Sequence, residues 1–559
     1  MTERVIRGLA ASPGIAVGRV LLHDAAIVQE QPHRGAAIEA AAALAALDGV
    51  AAELGGRADR LRADGFQPEA DILDANRLMA LDPLLRADVE SLSIHAAAGA
   101  ALRAASERHA ELLASLDDPL LAARATDVRE LGRRAARRLS RNGARPVGEG
   151  PFVLVSDDIG PADVAELRDS EGSIVAVALA LGAATSHAAI MARSLGLPML
   201  VGAGEDVLEA APETAIVVDG DAGHAYLDPT QDRLEWGRAQ VARLARERAQ
   251  HARERALPPV TTDGQWVTLL ANAATTAEVR AAVEMQADGV GLLRTELAFL
   301  EARAWPTEND HVAALEPLLA LLHGFVATVR VLDFGSDKTP PFLAGIQTRG
   351  IELLLAHPDA LSSQLRAILR LAGGLDLRLL LPLVESADQV RAVRRLLQVA
   401  AADVGWTPEL PPVGAMVETP LAAERAHEIA LEADFLSIGT NDLVQYTLGL
   451  DRMQPLATAH SAADPRVLSL IARTVEAAHE AGLTVEVCGE AASVPDVATL
   501  FVGLGVDELS VAPARIDELR TTVRVTSASD AAAAAAASLS DESGNEQGEV
   551  LGGLGGVVA

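Results

Sequence analysis

Eight times between residues 266 and 511, a short apolar, β-branched run gives way to a longer helical stretch, and this alternation limits the fold more than any other feature. The candidate strands are 266–272, 289–295, 329–335, 377–384, 413–418, 435–439, 484–488 and 508–511. Parallel neighbours need a crossover of a dozen or so residues, which the intervening helices supply. Eight such units in roughly 260 residues satisfy a TIM (β/α)8 barrel, placed at residues 259–525. A barrel also says where chemistry should lie: at the C-terminal ends of its strands.

The preceding chain reads differently. Residues 5–24 are β-like, with a Ser12-Pro13-Gly14 turn. Residues 32–142 are dominated by Ala, Leu, Arg and Glu and broken at Gly65-Phe66-Gln67-Pro68 and Asp82-Pro83, which predicts an up-and-down bundle of four or five helices. Short strands are expected at 152–156, 174–180, 199–201, 215–219 and 225–227. The fold class is α/β multidomain. Residues 1–31 and 143–230 form an α/β domain, 32–142 a helical insert within it, 231–258 a charged linker helix, and 526–559 an Ala-rich and disordered tail.

Composition excludes several function classes. Lys+Arg is 47 against Asp+Glu 78, a net charge of −31, which argues against nucleic acid or an anionic membrane as the main partner. The single cysteine, Cys488, rules out an intrachain disulfide framework and a multi-cysteine zinc site, and suits a reducing cytoplasm. The first residues lack the basic-then-apolar order of a signal peptide, and the longest apolar stretch, 174–181, is too short to cross a bilayer. A cytoplasmic protein without membrane insertion is expected. The only lysine is Lys338, either an incidental surface residue or a position that needs a compact ammonium.

Reading the expected strand ends collects Arg294, Glu296, Asp333, Lys338, Glu418, Asn441, Asp442, Cys488 and Glu490, with Arg452 one loop further on. Glu418 and Asp442 suit Mg²⁺, which keeps waters and shares ligation with a substrate phosphate. The arginines suit a phosphate or carboxylate, and the thiol a general acid or nucleophile. Each residue alone also has a structural reading, as a helix cap or a buried thiol. Their joint placement points to a metal-assisted enzyme acting on an anionic substrate. In the α/β domain, Thr185-Ser186-His187 follows a small-residue turn and opens a helix. An imidazole there meets free backbone N–H groups that would accept a phosphoryl group, the alternative being a Ser/Thr cap beside an incidental histidine.

The segment 182–202 resembles the phosphohistidine motif of the phosphoenolpyruvate-utilising enzymes. ASPGIAVG (11–18), GVGLLRTE (289–296), GAMVETP (414–420), SIGTNDLVQYTLGLDR (437–452) and VCGE (487–490) resemble, within that family, the enzyme I group of the bacterial phosphotransferase system. The resemblance runs over about residues 5–525. It implies a swivelling phosphohistidine α/β domain, a helical insert that docks the phosphocarrier HPr, and a barrel that binds phosphoenolpyruvate and forms a homodimer. By the same resemblance, His187 corresponds to the phosphohistidine and Cys488 to the proton donor. Arg294, Arg330, Lys338, Arg349, Asn441 and Arg452 correspond to substrate contacts, and Glu418 and Asp442 to the Mg²⁺ ligands.

The sequence departs from the family pattern after the Asp337-Lys338 pair. The loop is shortened, Gln347 replaces a glycine, and Glu352 stands where an arginine is usual. Ser493-Val494 replace a Gly-Asp, and Ala183 a glycine. Two alternatives remain. A dikinase or phosphoenolpyruvate synthase would need an ATP-binding domain, and the 186 residues before His187 show no Gly-rich nucleotide loop. A catalytically weakened phosphocarrier-binding scaffold draws support only from the changes around 347–352.

Overall fold

A computed structural model describes residues 3–22, 33–63, 67–115, 119–139, 150–159, 163–164, 167, 174–184, 186–194, 196–300, 302–335, 339–450 and 459–540. The chain divides into two compact units, 1–248 and 249–559.

The first unit is built on one eight-stranded sheet. Its strands are β1 (Arg4–Arg7), β2 (Leu9–Ser12), β3 (Ile15–Leu22), β4 (Phe152–Ser156), β5 (Ile174–Leu179), β6 (Met199–Val201), β7 (Ala215–Asp219) and β8 (His224–Leu227), in the order β1-β8-β7-β3-β4-β5-β6-β2. The centre, β3 to β6, is parallel, while β2, β7, β8 and β1 pair antiparallel. The central strands β4 and β5 are almost wholly buried, as expected for parallel strands covered on both faces.

Among the described residues, five helices come between β3 and β4: α1 (Ala36–Ala63), α2 (Gln67–Ala80), α3 (Pro83–Leu92), α4 (Ala98–Ala114) and α5 (Pro119–Leu139). Helix α3 begins where the Asp82 carboxylate accepts hydrogen bonds from the Leu84 and Leu85 amides and Pro83 occupies the first turn. Glu39 of α1 accepts from the Ala98 amide at the start of α4 (2.8 Å) and from the Arg34 amide, tying two helices together. One apolar core runs from Leu47, Leu54 and Leu102 of these helices to Phe152 and Val177 of the sheet. Helix α6 (His187–Ser194) follows β5, and α7 (Gln231–Glu254) follows β8. Gly237 of α7 lets that helix lie against Val17 and Val217, since a Cβ there would sit 2.7 Å from Val17.

The second unit is a closed barrel of eight parallel strands. These are β9 (Thr268–Ala273), β10 (Gly289–Arg294), β11 (Val326–Arg330), β12 (Asp376–Leu381), β13 (Val413–Val417), β14 (Phe435–Ile438), β15 (Thr484–Val487) and β16 (Glu508–Val511). It closes where β16 pairs with β9, Glu508 opposite Thr268 and Val511 opposite Ala271.

Two expectations need correction. The third barrel strand is Val326–Arg330, not 329–335. Val331, Leu332 and Phe334 are buried after the strand has ended, so their apolar run imitates a strand. The tail is also partly ordered: Ala528–Ser540 is a helix, begun by Asp263, whose carboxylate accepts from the Ala528 and Ser529 amides at 2.9 and 3.0 Å. It presses on Gly503, where a Cβ would lie 2.2 Å from the Ala531 carbonyl oxygen, so its alanines serve close packing. Residues 541–559 lie outside the described residues. Among the described residues, no helix is long and apolar enough to cross a membrane.

Candidate active site

Strand ends β10, β11, β13, β14 and β15 enclose a cavity of about 360 Å³. Its lining includes Arg294, Arg330, Asp333, Arg349, Glu418, Asn441, Asp442, Cys488 and Glu490. The structure therefore brings together seven of the ten residues to which the family resemblance assigns a role. Lys338 and Arg452 lie outside the described residues, and His187 belongs to the other unit.

Arg330 ends β11 as a buried cation. Its guanidinium donates to Glu296 Oε1 at 2.7 Å and lies 3.1 Å from Asp333 Oδ2. Burial alone would lower its pKa, but Glu296, Asp333 and Glu418 outweigh that effect and keep it charged. Thr295 Oγ1 donates to the Arg330 carbonyl oxygen (3.0 Å) and accepts from Gln364 Nε2 (3.0 Å), while Gln364 Oε1 accepts from the Leu332 amide. A buried polar lattice thus fixes the point where β11 leaves the sheet.

Glu418 follows β13 and is held by the Leu383 amide, which donates to its Oε2 at 2.9 Å. Gly439 leaves room for it, since a Cβ there would stand 2.6 Å from Oε1. Burial, then the Asp442 and Asp333 carboxylates, pushes the Glu418 carboxyl up to about 8. Asp442 lies in the first turn of the helix Thr440–Leu448 and accepts from Arg349 Nη2 at 2.9 Å. Asn441 Oδ1 accepts from the Glu490 amide at 3.0 Å, joining the β14 and β15 ends. Among the described residues, no three His, Cys, Asp or Glu side chains form a closed metal cage. Two buried carboxylates that repel each other beside arginines are the donor set for a hard dication sharing its shell with an anion.

Cys488 is buried among Leu292, Leu380, Met416 and Phe435 and borders the cavity. Its Sγ accepts from Ser437 Oγ at 3.1 Å and lies 3.7 Å from the Ile438 carbonyl oxygen. Burial, reinforced by Glu486, raises the thiol far above the usual cysteine range, so it holds its proton at neutral pH. Gln347 and Glu352, the departures from the family pattern, are exposed and do not line the cavity.

In the first unit His187 opens α6, with Ser186 Oγ accepting from the Ala189 amide at 3.2 Å as the cap. Gly182, at φ +95°, makes the turn from β5. Arg193 then ties the helix back by donating to the carbonyl oxygens of Ala11 and Ala184.

Three family models match in chain order: the N-terminal region of PEP-utilising enzymes over residues 7–124, their mobile domain over 148–223 and their PEP-binding domain over 248–528. The chain belongs to the PEP-utilising enzymes. Among relatives, the phosphoenolpyruvate-protein phosphotransferase of Streptomyces coelicolor is 36% identical over 93% of this chain and 94% of its own length. That of Haloferax volcanii is 34% identical over 99% of both. A multiphosphoryl transfer protein of Rhodobacter capsulatus is 34% identical over 93% of this chain, which spans 64% of that longer protein. A solution structure of an Enzyme I protein is similar over 42% of this chain and 97% of its own, at 28% identity and a TM-score of 0.32.

In this PEP-utilising enzyme, reading the strand ends alone missed Gln364, Ser437 and Glu486. Gln364 is a fully buried polar residue on the apolar face of the helix Pro358–Leu371. Glu486 stands two residues before Cys488, on the same face of a strand by the period of two. A buried polar residue inside an apolar pattern was the available signal for each.

Proposed function

We propose that the chain is a phosphoenolpyruvate–protein phosphotransferase, which moves the phosphoryl group of phosphoenolpyruvate to His187 and then to a phosphocarrier of the HPr type. One observation carries the reading: buried Arg330, two carboxylates and a protonated thiol converge on one cavity of a barrel that matches the PEP-binding family model. Arg294, Arg330 and Arg349 receive the phosphate, with Lys338, Asn441 and Arg452 as further contacts. Glu418 and Asp442 would hold Mg²⁺, whose role when bound is to neutralise the phosphate oxygens.

In the reaction the phosphorus–oxygen bond of phosphoenolpyruvate breaks and a phosphorus–nitrogen bond forms at His187. The enolate left behind takes the Cys488 proton at carbon and becomes pyruvate. Donor site and acceptor belong to different compact units, and the proposed transfer includes a swivel of the α/β domain to the barrel and away again. The five-helix insert is the carrier's docking surface, a role supported by exposed Leu78, Leu81 and Leu84 around the α2–α3 turn. Exposed Val399, Leu421 and Leu431 support pairing of two copies through the barrel. The net charge and single cysteine support a cytoplasmic location.

Incubation with phosphoenolpyruvate labelled in its phosphate, with Mg²⁺ and no nucleotide, tests the proposal. Acid-labile, alkali-stable label on the wild type and none on His187→Ala is the expected result. A requirement for ATP would instead indicate dikinase chemistry, and no label under either condition a non-catalytic scaffold.

A further inference from the structure

Below Cys488 the barrel holds an acid that phosphoryl transfer does not use. Ser437, Glu486 and Glu508 are in register on adjacent strands β14, β15 and β16, forming a polar row across an otherwise apolar interior. Glu486 is 1% exposed, and its Oε1 projects so far inward that a Cβ on Gly291 of β10 would meet it at 2.1 Å. The hydroxyls of Ser437 and Ser510 lie within hydrogen-bonding reach of its carboxyl. Both hydroxyls direct their protons elsewhere: Ser437 to Cys488 Sγ at 3.1 Å, and Ser510 to Asn272 Oδ1 at 2.7 Å. While they do so, each has a lone pair that a protonated Glu486 carboxyl can use as acceptor.

Burial, then the neighbouring Glu508 carboxylate, hold the Glu486 carboxyl protonated well above the ordinary range, outweighing Arg378 and the Ser437 and Ser510 hydroxyls. Arg378 pairs with Glu508 at 2.9 Å, and its side chain is 20% exposed, so the row reaches water away from the substrate cavity. On its other sides the thiol meets the apolar side chains of Leu292, Leu380, Met416 and Phe435 and borders the substrate cavity, where Glu418 and Arg330 face it.

We propose that Glu486, acting through the Ser437 hydroxyl, resupplies the Cys488 thiol with the proton it gives to carbon. The inference rests on Cys488 being the carbon acid. After pyruvate forms, the thiolate sulfur takes the Ser437 hydroxyl proton while Ser437 Oγ takes the Glu486 carboxyl proton. The resulting carboxylate is refilled from water by way of the Glu508–Arg378 end. Nothing is oxidised or reduced. Glu486 is a positioning residue, because it reaches the reacting carbon only through Ser437 and Cys488.

Two exchange reactions of the full chain with phosphoenolpyruvate, Mg²⁺ and pyruvate separate this role from a structural one. Exchange of ¹⁴C between pyruvate and phosphoenolpyruvate needs no solvent proton, because the thiolate can recover the proton of the incoming pyruvate. Incorporation of deuterium from D₂O into the pyruvate methyl group requires the thiol to equilibrate with solvent. Glu486→Gln and Ser437→Ala should each lower the ratio of deuterium to ¹⁴C exchange by about tenfold or more, since the proton route is cut while the acid remains. A structural defect would lower both exchanges together. An unchanged ratio in both variants overturns the relay, and if one variant fails to fold the other decides. Cys488→Ala should abolish both exchanges. Their retention in that variant would refute the reading of Cys488 itself, an outcome distinct from failure of the relay.

Discussion

The Arg330–Glu296 pair is where fold stability and the proposed substrate binding meet, and a double-mutant cycle can test it. Glu296 is fully buried, Arg330 is nearly so, and the two are 2.7 Å apart. Removing one member of a buried ion pair costs about 3–5 kcal/mol, mostly by stranding the other charge. Arg330→Met should fall in that range, because Glu296 loses its guanidinium. Glu296→Gln should cost less, about 2 kcal/mol, because the amide oxygen can still accept and Asp333 remains 3.1 Å from Arg330. The double variant should then be more stable than Arg330→Met alone by about 1 kcal/mol or more, a coupling well above the scatter of independent sites. Denaturant unfolding followed by tryptophan fluorescence is weighted toward the barrel unit, which holds Trp266, Trp305 and Trp406, against Trp236 in the first unit. Phosphoenolpyruvate turnover should be lost in both variants that lack Arg330 and persist in Glu296→Gln. Additive stability effects, within about 0.5 kcal/mol, would refute the pairing as the source of the cost.

Two further outcomes follow from particular contacts. His311 is completely buried and its imidazole is lowered to about 4, burial outweighing the attraction of Asp310. It folds as the neutral base, so its contribution is present above pH 6.5 and is lost as the pH falls toward 4. Unfolding free energy should be about 2 kcal/mol lower at pH 5 than at pH 7.5, and His311→Leu should flatten that slope; an equal slope in the variant would assign it elsewhere. At Gly489 a Cβ would lie 1.9 Å from Thr440 Oγ1 and 2.7 Å from the Thr440 amide nitrogen. Gly489→Ala should therefore displace the ends of β14 and β15, cost about 1–3 kcal/mol and slow pyruvate formation, whereas wild-type stability and turnover would show the contact to be slack.

The barrel was legible in the sequence because its strands are short apolar runs set between helices, a pattern no single residue controls. Once the barrel was fixed, the strand-end rule alone placed Glu418, Asp442 and Cys488 at one mouth. The third strand was misplaced because burial and strand pairing part company there: Val331 and Leu332 are as buried as any strand residue, but the Val331 amide makes the last bond to β12, at the Leu380 carbonyl, and the Leu332 amide turns to Gln364. The tail helix was missed because alanine alone does not say what it packs on. Its partner is a glycine, Gly503, in another helix, a relation visible only in three dimensions.

The polar groups behind the site were hidden for a different reason. Strand-end reading asks what faces the substrate, whereas Gln364 and Glu486 face side chains that in turn face it. Gln364 fixes the β11 end by bonding Thr295 and the Leu332 amide, so a residue remote in sequence sets where Arg330 presents its charge. Glu486 is more costly to bury than any apolar alternative, and Ser437, Ser510 and Arg378 compensate only part of that cost, since its carboxyl stays raised. Serine or glycine at that position would leave the strand intact, so stability gives no reason for a carboxyl there. A fold that bears this cost directly beneath its one thiol, on the same face of the same strand, points to proton supply as the compensating gain.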